Sequence, residues 1–292
     1  TTGRRIDPGH PAPIYWDGMN TLPSLPHDQK LPVLLVLHRD SSNPGQIETA
    51  LNAKGWPTER CCLDSGDRLP ESLQNHAGVV IFGGPMSAND DHLPAIKAEL
   101  DWIPRVLESG TPFFGVCLGA QMLARCLGAE VWLHPQGMME IGYYPIVPAP
   151  QANGFFKQPM HVYHWHREGF DLPTGAELLA EGEIYSNQAF RYGRSAYGVQ
   201  FHPEMQEPIM RHWLEHASHM LVEPGAKQPE DHLDGHAKHG PAMHRWLDDF
   251  ILSGWVGRRT PNLRPLAVPS MFVLCHPEYP GDAPSIRGNH RH

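Results

Sequence analysis

Cysteine is scarce, and the five present (Cys61, Cys62, Cys117, Cys126 and Cys275) are odd in number and irregular in spacing. This excludes a disulfide scaffold and makes a reducing, cytoplasmic setting the expectation. No apolar run approaches the ~18 residues of a membrane span. Residues 1–30 lack the apolar stretch of a secretory signal. Clustered Lys and Arg are also missing. With 23 basic against 32 acidic residues the formal charge is −9, and no stripe suited to a phosphate backbone is present, so no nucleic-acid partner is expected. There is no G-x-x-x-x-G-K-[ST] loop for a nucleotide, no H-E-x-x-H pair and no internal repeat. Neither a cofactor nor a metal is expected. The sequence opens on Thr1 rather than Met, so a few residues are expected before it.

What remains is an ordinary globular composition, 40% apolar and 19% charged over 292 residues, enough for one large α/β domain with extensions. The 28 glycines and 30 prolines are many, and the prolines crowd toward the two ends and mark irregular termini. The 20 histidines make the true charge depend on pH near neutrality.

Along the chain, residues 1–30 read as an extended arm. The run LPVLLVL (31–37) reads as a strand buried on both faces, and Asn43 to Lys54 as a helix stopped by Gly55 and Pro57. GVVIF (78–82) is a second buried strand ending in Gly83-Gly84-Pro85. Pro94 to Glu108 is an amphipathic helix, PFFGV (112–116) a third strand and Leu118 to Leu127 a helix. This alternation implies a parallel sheet with right-handed crossovers. From 130 onward six shorter strands are expected, at 130–133, 140–147, 159–164, 176–181, 184–191 and 196–201. Two helices follow at 206–222 and 240–253, then a tail from 256.

The strongest local signal is Phe114-Gly115-Val116-Cys117-Leu118-Gly119-Ala120-Gln121, where a buried strand runs into a helix with one cysteine at the junction. This is the G-x-nucleophile-x-G spacing of an elbow. The turn is tight, so Gly115 and Gly119 supply the room two positions either side. The sulfur then projects from the carboxyl edge of the sheet, and the first N–H groups of the helix favour its thiolate. A buried structural cysteine at a helix start is the competing reading. Cys126, Cys61, Cys62 and Cys275 have no such surroundings and read as core or inert positions.

A second signal is Tyr197-Gly198-Val199-Gln200-Phe201-His202-Pro203-Glu204. His202 ends a strand, and Pro203 separates it from Glu204 so that both side chains can point the same way. Glu204 can then hold one imidazole nitrogen and leave the other for Cys117. The competing reading is a histidine at a strand end bonded only to its neighbour.

These residues resemble the class I, triad-type glutamine amidotransferases. The matching motifs are GVCLGAQ (115–121), GVQFHPE (198–204) and FGGPMSAND (82–90), supported by EIGYYP (140–145), HWH (164–166), LP (172–173) and QAFRYG (188–193). The likeness covers residues 31–222 and is closest to stand-alone members similar to the amidotransferase domain of GMP synthetase. It implies an α/β, flavodoxin-like three-layer sandwich with a mostly parallel central sheet and a small antiparallel extension. It divides the chain into an arm (1–30), the amidotransferase-like domain (31–222), a C-terminal helical extension (223–255) and the tail (256–292).

The resemblance further implies that Cys117 attacks the side-chain amide carbon of glutamine, that His202 manages the proton and that Glu204 orients His202. The N–H groups of Gly84 and Leu118 would form the oxyanion hole. Gly83, Gln121, His166 and Arg167 would contact the substrate. Relatives usually carry a glycine soon after the position of His166; here Arg167 and Glu168 follow, which leaves the amide substrate open. No Ser-Gly-Gly loop of an ATP pyrophosphatase is present, so released ammonia would be used on a separate synthetase chain. The partner expected is glutamine or a γ-glutamyl compound, and an oligomer is compatible. A γ-glutamyl hydrolase with the same thioester chemistry is the second reading, and a non-catalytic binding or regulatory subunit on the same fold the third.

Three weaker features complete the reading. His212, His216 and His219, and again His232, His236 and His239, fall on one face of a helix; without Cys or H-E-x-x-H they read as solvated faces rather than zinc ligands. Trp213, Trp246 and Trp255 read as core or interface anchors. Asp90-Asp91 reads as a cap for the helix at Pro94.

Overall fold

The computed structural model describes residues 30–152 and 154–257. The arm before Lys30, the tail beyond Gly257 and Cys275 lie outside them. Nine strands form one sheet in the order β2-β1-β3-β4-β11-β10-β9-β6-β7. β1 (Val33–Leu37), β2 (Thr58–Cys62), β3 (Gly78–Ile81), β4 (Phe113–Val116) and β11 (Ala196–Val199) run parallel. β10 (Asn187–Tyr192), β9 (Ala176–Glu181), β6 (Glu140–Pro148) and β7 (Met160–His166) continue the sheet antiparallel. A separate two-stranded ribbon pairs β5 (Val131–Leu133) with β8 (Glu168–Phe170).

Alternation along the central strands builds three layers. Val33, Leu35 and Leu37 face α1 (Gly45–Ala53) and α5 (Pro229–Leu252), meeting Ile47, Leu51, Leu247 and Ile251. Leu34 and Val36 face the opposite way, toward α2 (Pro94–Glu108) and α3 (Leu118–Cys126), meeting Ile96, Ile103 and Leu123. A strand clad by helices on both faces needs apolar residues at every position, which is why β1 reads as a continuous run.

Strand order 2-1-3-4 means the crossovers leave β1 in opposite directions. The crevice this opens lies at the carboxyl ends of the parallel strands, where α/β ligands bind. Among the described residues no helix is long and apolar enough to cross a membrane.

The structure departs from expectation in several places, among them β8, a three-residue strand that no expected segment covers. β2 is absent from the sequence reading because it is an edge strand, TERCC, with exposed polar residues and no alternation. The helix expected over 206–222 stops at His216 as α4 (Glu207–His216) and continues as a 3-10 turn, Ser218–Val222. α5 begins eleven residues before the expected 240, at Pro229, running through Gly235, Gly240 and Pro241. A Cβ on Gly235 would stand 2.7 Å from the Tyr143 ring, so this glycine lets the helix close on the sheet and packing overrides propensity. Asp90-Asp91 does not cap α2, whose N-cap is Leu93. Asp90 instead accepts the Ser87 N–H at 2.8 Å, and Asp91 pairs with Arg125 at 3.0 Å.

Candidate active site

The elbow forms as its spacing requires. Cys117 has φ 50, ψ −106, and is the one non-glycine residue with positive φ among the described residues. Such a conformation costs about 1–3 kcal/mol and persists only where its surroundings enforce it. The enforcement is steric. A Cβ on Gly119 would lie 2.1 Å from the Ile81 carbonyl oxygen, and one on Gly115 2.5 Å from that of Gly119. The Cys117 N–H is held by Val199 O at 2.8 Å, which ties the elbow to the end of β11.

Beyond β11 the chain loops across the sheet edge. The His202 N–H donates to Tyr163 O at 2.7 Å, and its ring stands edge-on to Trp213 with centroids 4.9 Å apart. His202 Nδ1 meets Glu204 Oε1 at 2.7 Å, both side chains almost fully buried. The first turn of α1 clamps Glu204 from behind, with Gln46 N–H on its carbonyl at 2.9 Å. His202 Nε2 is buried and makes no hydrogen bond of regular geometry.

Gly83 shows how closely the groups converge. A Cβ there would sit 2.7 Å from His202 Cε1 and 3.4 Å from Cys117 Cβ, so histidine and cysteine close on a single point above the glycine. Burial disfavours the charged imidazole, but Glu204 and then Cys117 outweigh it and raise the His202 pKa to about 10. Gln200 Nε2 approaches Cys117 Sγ at 3.6 Å.

Over this floor lies a cavity of about 660 Å³. Gly83, Gly84 and Leu118 line it beside Cys117, and Arg39 and Arg167 stand on its wall. Gln121 lines it too, with its amide donor spent on Glu168 O at 2.8 Å and Gln200 Oε1 at 3.2 Å. His166 presents only ring surface. Its Nδ1 is turned to Glu168 O at 3.0 Å and its Nε2 to Glu140 Oε2 at 2.9 Å.

The histidine triplets divide. His212, His216 and His219 are exposed, as expected, but they line the cavity mouth. The solvated reading fails for the second triplet at His232. It is fully buried, accepting from the Tyr163 hydroxyl at 2.9 Å and donating to Lys227 O at 3.2 Å. Trp246 and Trp255 pack around Phe250, whereas Trp213 belongs to the site wall.

Two features escaped the sequence reading. Gln200 was read only as a strand residue, although its place between the elbow and His202 is the available signal. His38, at the end of β1, was not singled out. Its Nδ1 donates to Gly83 O and its Nε2 to Glu99 Oε2, both at 3.1 Å, with His38 and Glu99 buried. Both nitrogens face acceptors, so the ring is an imidazolium. Burial opposes that charge, but Glu99 outweighs burial and raises the pKa above 6.5.

The pair thereby anchors the Gly83–Gly84 turn. Its contribution to stability is complete below pH 6.5 and is lost as pH rises through the raised folded value. Glu99→Gln should cost about 3–5 kcal/mol in urea unfolding, because it leaves a buried charge unpaired. The gap to wild type should narrow as pH rises above 6.5. A gap independent of pH would show that the pair is not charged.

The family description "Glutamine amidotransferase class-I" matches residues 46–231. The chain belongs to the class-I glutamine amidotransferases. A protein described as glutamine amidotransferase-like, YfeJ of Salmonella typhimurium, is 28% identical over 235 residues, covering 76% of this chain and 98% of its own. A gamma-glutamyl-L-1-hydroxyisopropylamide hydrolase of Pseudomonas is 26% identical over 62% of this chain and 65% of its own. A GMP synthase of Porphyromonas gingivalis is 32% identical over 144 residues, which span only 27% of that synthase. Among solved structures, a glutamine amidotransferase of Methylobacillus flagellatus superposes with a TM-score of 0.73 at 28% identity, covering 80% of this chain and 98% of that one. One from Thermotoga maritima gives 0.70 at 30% identity, covering 76% and 97%. The α/β fold, mostly parallel with a small antiparallel extension, is that of this class-I amidotransferase.

Proposed function

We propose that the protein is a cysteine-nucleophile amidohydrolase that cleaves the side-chain amide of a γ-glutamyl group, free glutamine first among its substrates. The observation that carries this is the convergence of the strained Cys117 elbow and the His202–Glu204 pair above Gly83.

In this reading the Cys117 thiolate attacks the amide carbon, and a C–S bond forms. The oxygen's developing charge is taken by the N–H groups of Gly84 and Leu118, each worth about 3 kcal/mol of barrier. The His202 imidazolium passes its proton to the nitrogen as the C–N bond breaks, and ammonia leaves. His202, now neutral, takes a proton from water, whose oxygen attacks the thioester carbon. Glutamate departs and the thiolate returns with its imidazolium partner. Glu204 keeps the ring oriented through both halves and stabilises its charged form at the start and end of the cycle. The ammonia serves an acceptor on a separate synthetase.

One observation favours a second reading on the same chemistry. The cavity of about 660 Å³, with Arg39 and Arg167 on its wall, has room for a γ-glutamyl amide larger than glutamine. The Pseudomonas relative is named for such a substrate. Purified protein offered glutamine and a series of γ-glutamyl alkylamides decides between them. Ammonia release with the higher kcat/KM on glutamine supports the first reading, and faster cleavage of the alkylamides supports the second. Absence of both, with Cys117 shown to be reduced, would refute the proposal.

A further inference from the structure

We propose that Glu140, His164 and His166 form a divalent-metal site, suited to zinc, set between β6 and β7 beside the candidate active site. His164 and His166 lie two apart on β7, so both rings leave the same face. Glu140 is the register partner of His166 across the β6–β7 pair. Three potential ligands therefore stand on two hydrogen-bonded strands, a rigid mounting that needs no loop to order. All three side chains are at least 98% buried.

The donor atoms form a compact triangle. Glu140 Oε2 is 2.9 Å from His166 Nε2 and 3.4 Å from His164 Nδ1, and the two nitrogens are 3.1 Å apart. Zinc bonds of about 2.0–2.1 Å in a tetrahedron set neighbouring ligand atoms roughly 3.4 Å apart. Movements of a few tenths of an ångström would therefore seat the ion. Two imidazoles and a carboxylate are a donor set that zinc accepts, with a fourth position left over.

The surrounding hydrogen bonds point the same way. His166 Nδ1 faces the Glu168 carbonyl at 3.0 Å, an acceptor only, so the proton sits there. The ring's Nε2 is directed at a carboxylate oxygen and at the other imidazole. Glu140 Oε2 is also held by Gln188 Nε2 at 2.8 Å. This outer arrangement, with one ring nitrogen donating outward and a carboxylate steadied by an amide, is how metal ligands are oriented. A hydrogen-bond network alone is poorer. The His164 Nδ1–Glu140 Oε2 contact of 3.4 Å is long for a charge-assisted hydrogen bond, and the two imidazole nitrogens crowd to 3.1 Å beside it. A cation at the centre satisfies all three inward atoms at once. His166 also lines the cavity, which supplies a route for the ion.

The earlier expectation of no metal looked to the helical histidines. The donor set lies instead on strands, contributed by Glu140 and the HWH segment. Because its test reads metal content, this inference stands or falls separately from amide hydrolysis.

The full chain carrying Cys117→Ala, so that the thiol cannot capture the ion, is loaded with zinc, dialysed and assayed for bound metal. About one equivalent per chain is expected, and cobalt substitution should give the intense visible absorption of a tetrahedral site. Adding Glu140→Gln or His164→Asn should abolish that equivalent with the circular-dichroism spectrum unchanged. Adding His212→Ala and His216→Ala at the cavity mouth should retain it. The thermal midpoint of the parent should rise with zinc concentration, as for any ligand of the native state. Should a variant unfold, the cobalt spectrum of the parent still decides the question. Retention of no metal, an octahedral cobalt spectrum, or loss of metal with the mouth histidines rather than the buried trio would each overturn the proposal.

Discussion

Replacing Cys117 by alanine should lower amide hydrolysis by at least about 10⁴-fold, since removing the nucleophile of a unit that acts together costs nearly the whole of that unit's contribution. Folding stability should change little, because alanine meets the same strain at φ 50 as cysteine does. Cysteine labelling makes the same point on the wild type. One equivalent of iodoacetamide should go to Cys117 and abolish activity. Burial pushes the Cys126 thiol up to about 12 and the Cys61 thiol to about 11, so both stay protonated and slow. Labelling of Cys61 at a rate equal to Cys117 would remove the elbow's special status, and the proposed enzyme with it.

Glu204→Gln should lower kcat/KM by roughly 10²-fold and, more tellingly, move the alkaline limb of its pH profile. In the wild type His202 is held protonated to about pH 10, because Glu204 and Cys117 outweigh burial. A raised pKa means that the charged-state contribution is complete below 6.5 and lost as pH climbs through about 10. Glutamine keeps the shape and one hydrogen bond but removes the charge, and burial then gains. The limb should fall by about one pH unit or more, the scale of a close opposite charge. An unmoved limb with the same loss of rate would assign Glu204 to holding the ring's position alone. Direct titration of His202 by NMR in both proteins separates the two effects.

The parts of the site readable in advance were those whose cause is local. Gly115 answers a clash with the Gly119 carbonyl that the elbow creates within five residues, although the Gly119 clash, with the Ile81 carbonyl, comes from the neighbouring strand. His202 and Glu204 are two apart across a tight turn at Pro203 rather than on the extended strand end expected, and their 2.7 Å contact still follows from local backbone geometry with little help from elsewhere. The buried strands were likewise visible because cladding on both faces demands unbroken apolar runs. β2 escaped because an edge strand has no such demand, and the first half of α5 because its glycines serve contacts with Tyr143 and its own His236 rather than helix propensity.

The remaining contacts join residues far apart in the chain. His38 meets Glu99 across 61 positions, Gln121 meets Gln200 across 79, and Tyr163 meets His232 across 69. None has a spacing rule, since each pairing depends on strand order and register.

The amino-acid sequence alone determined the layered α/β chemistry of this protein: which segments must be buried, where a cysteine is forced onto a strained turn, and which carboxylate holds which imidazole. Only the tertiary structure decided that β4 and β11 lie side by side, so that Cys117 and His202 close on Gly83. It also set the register of β6 against β7, which aims Glu140, His164 and His166 at one point. The division has a physical cause. Steric and hydrogen-bonding rules act over a few residues and leave a mark in the sequence, whereas the meeting of distant side chains is set by the packing of the whole sheet.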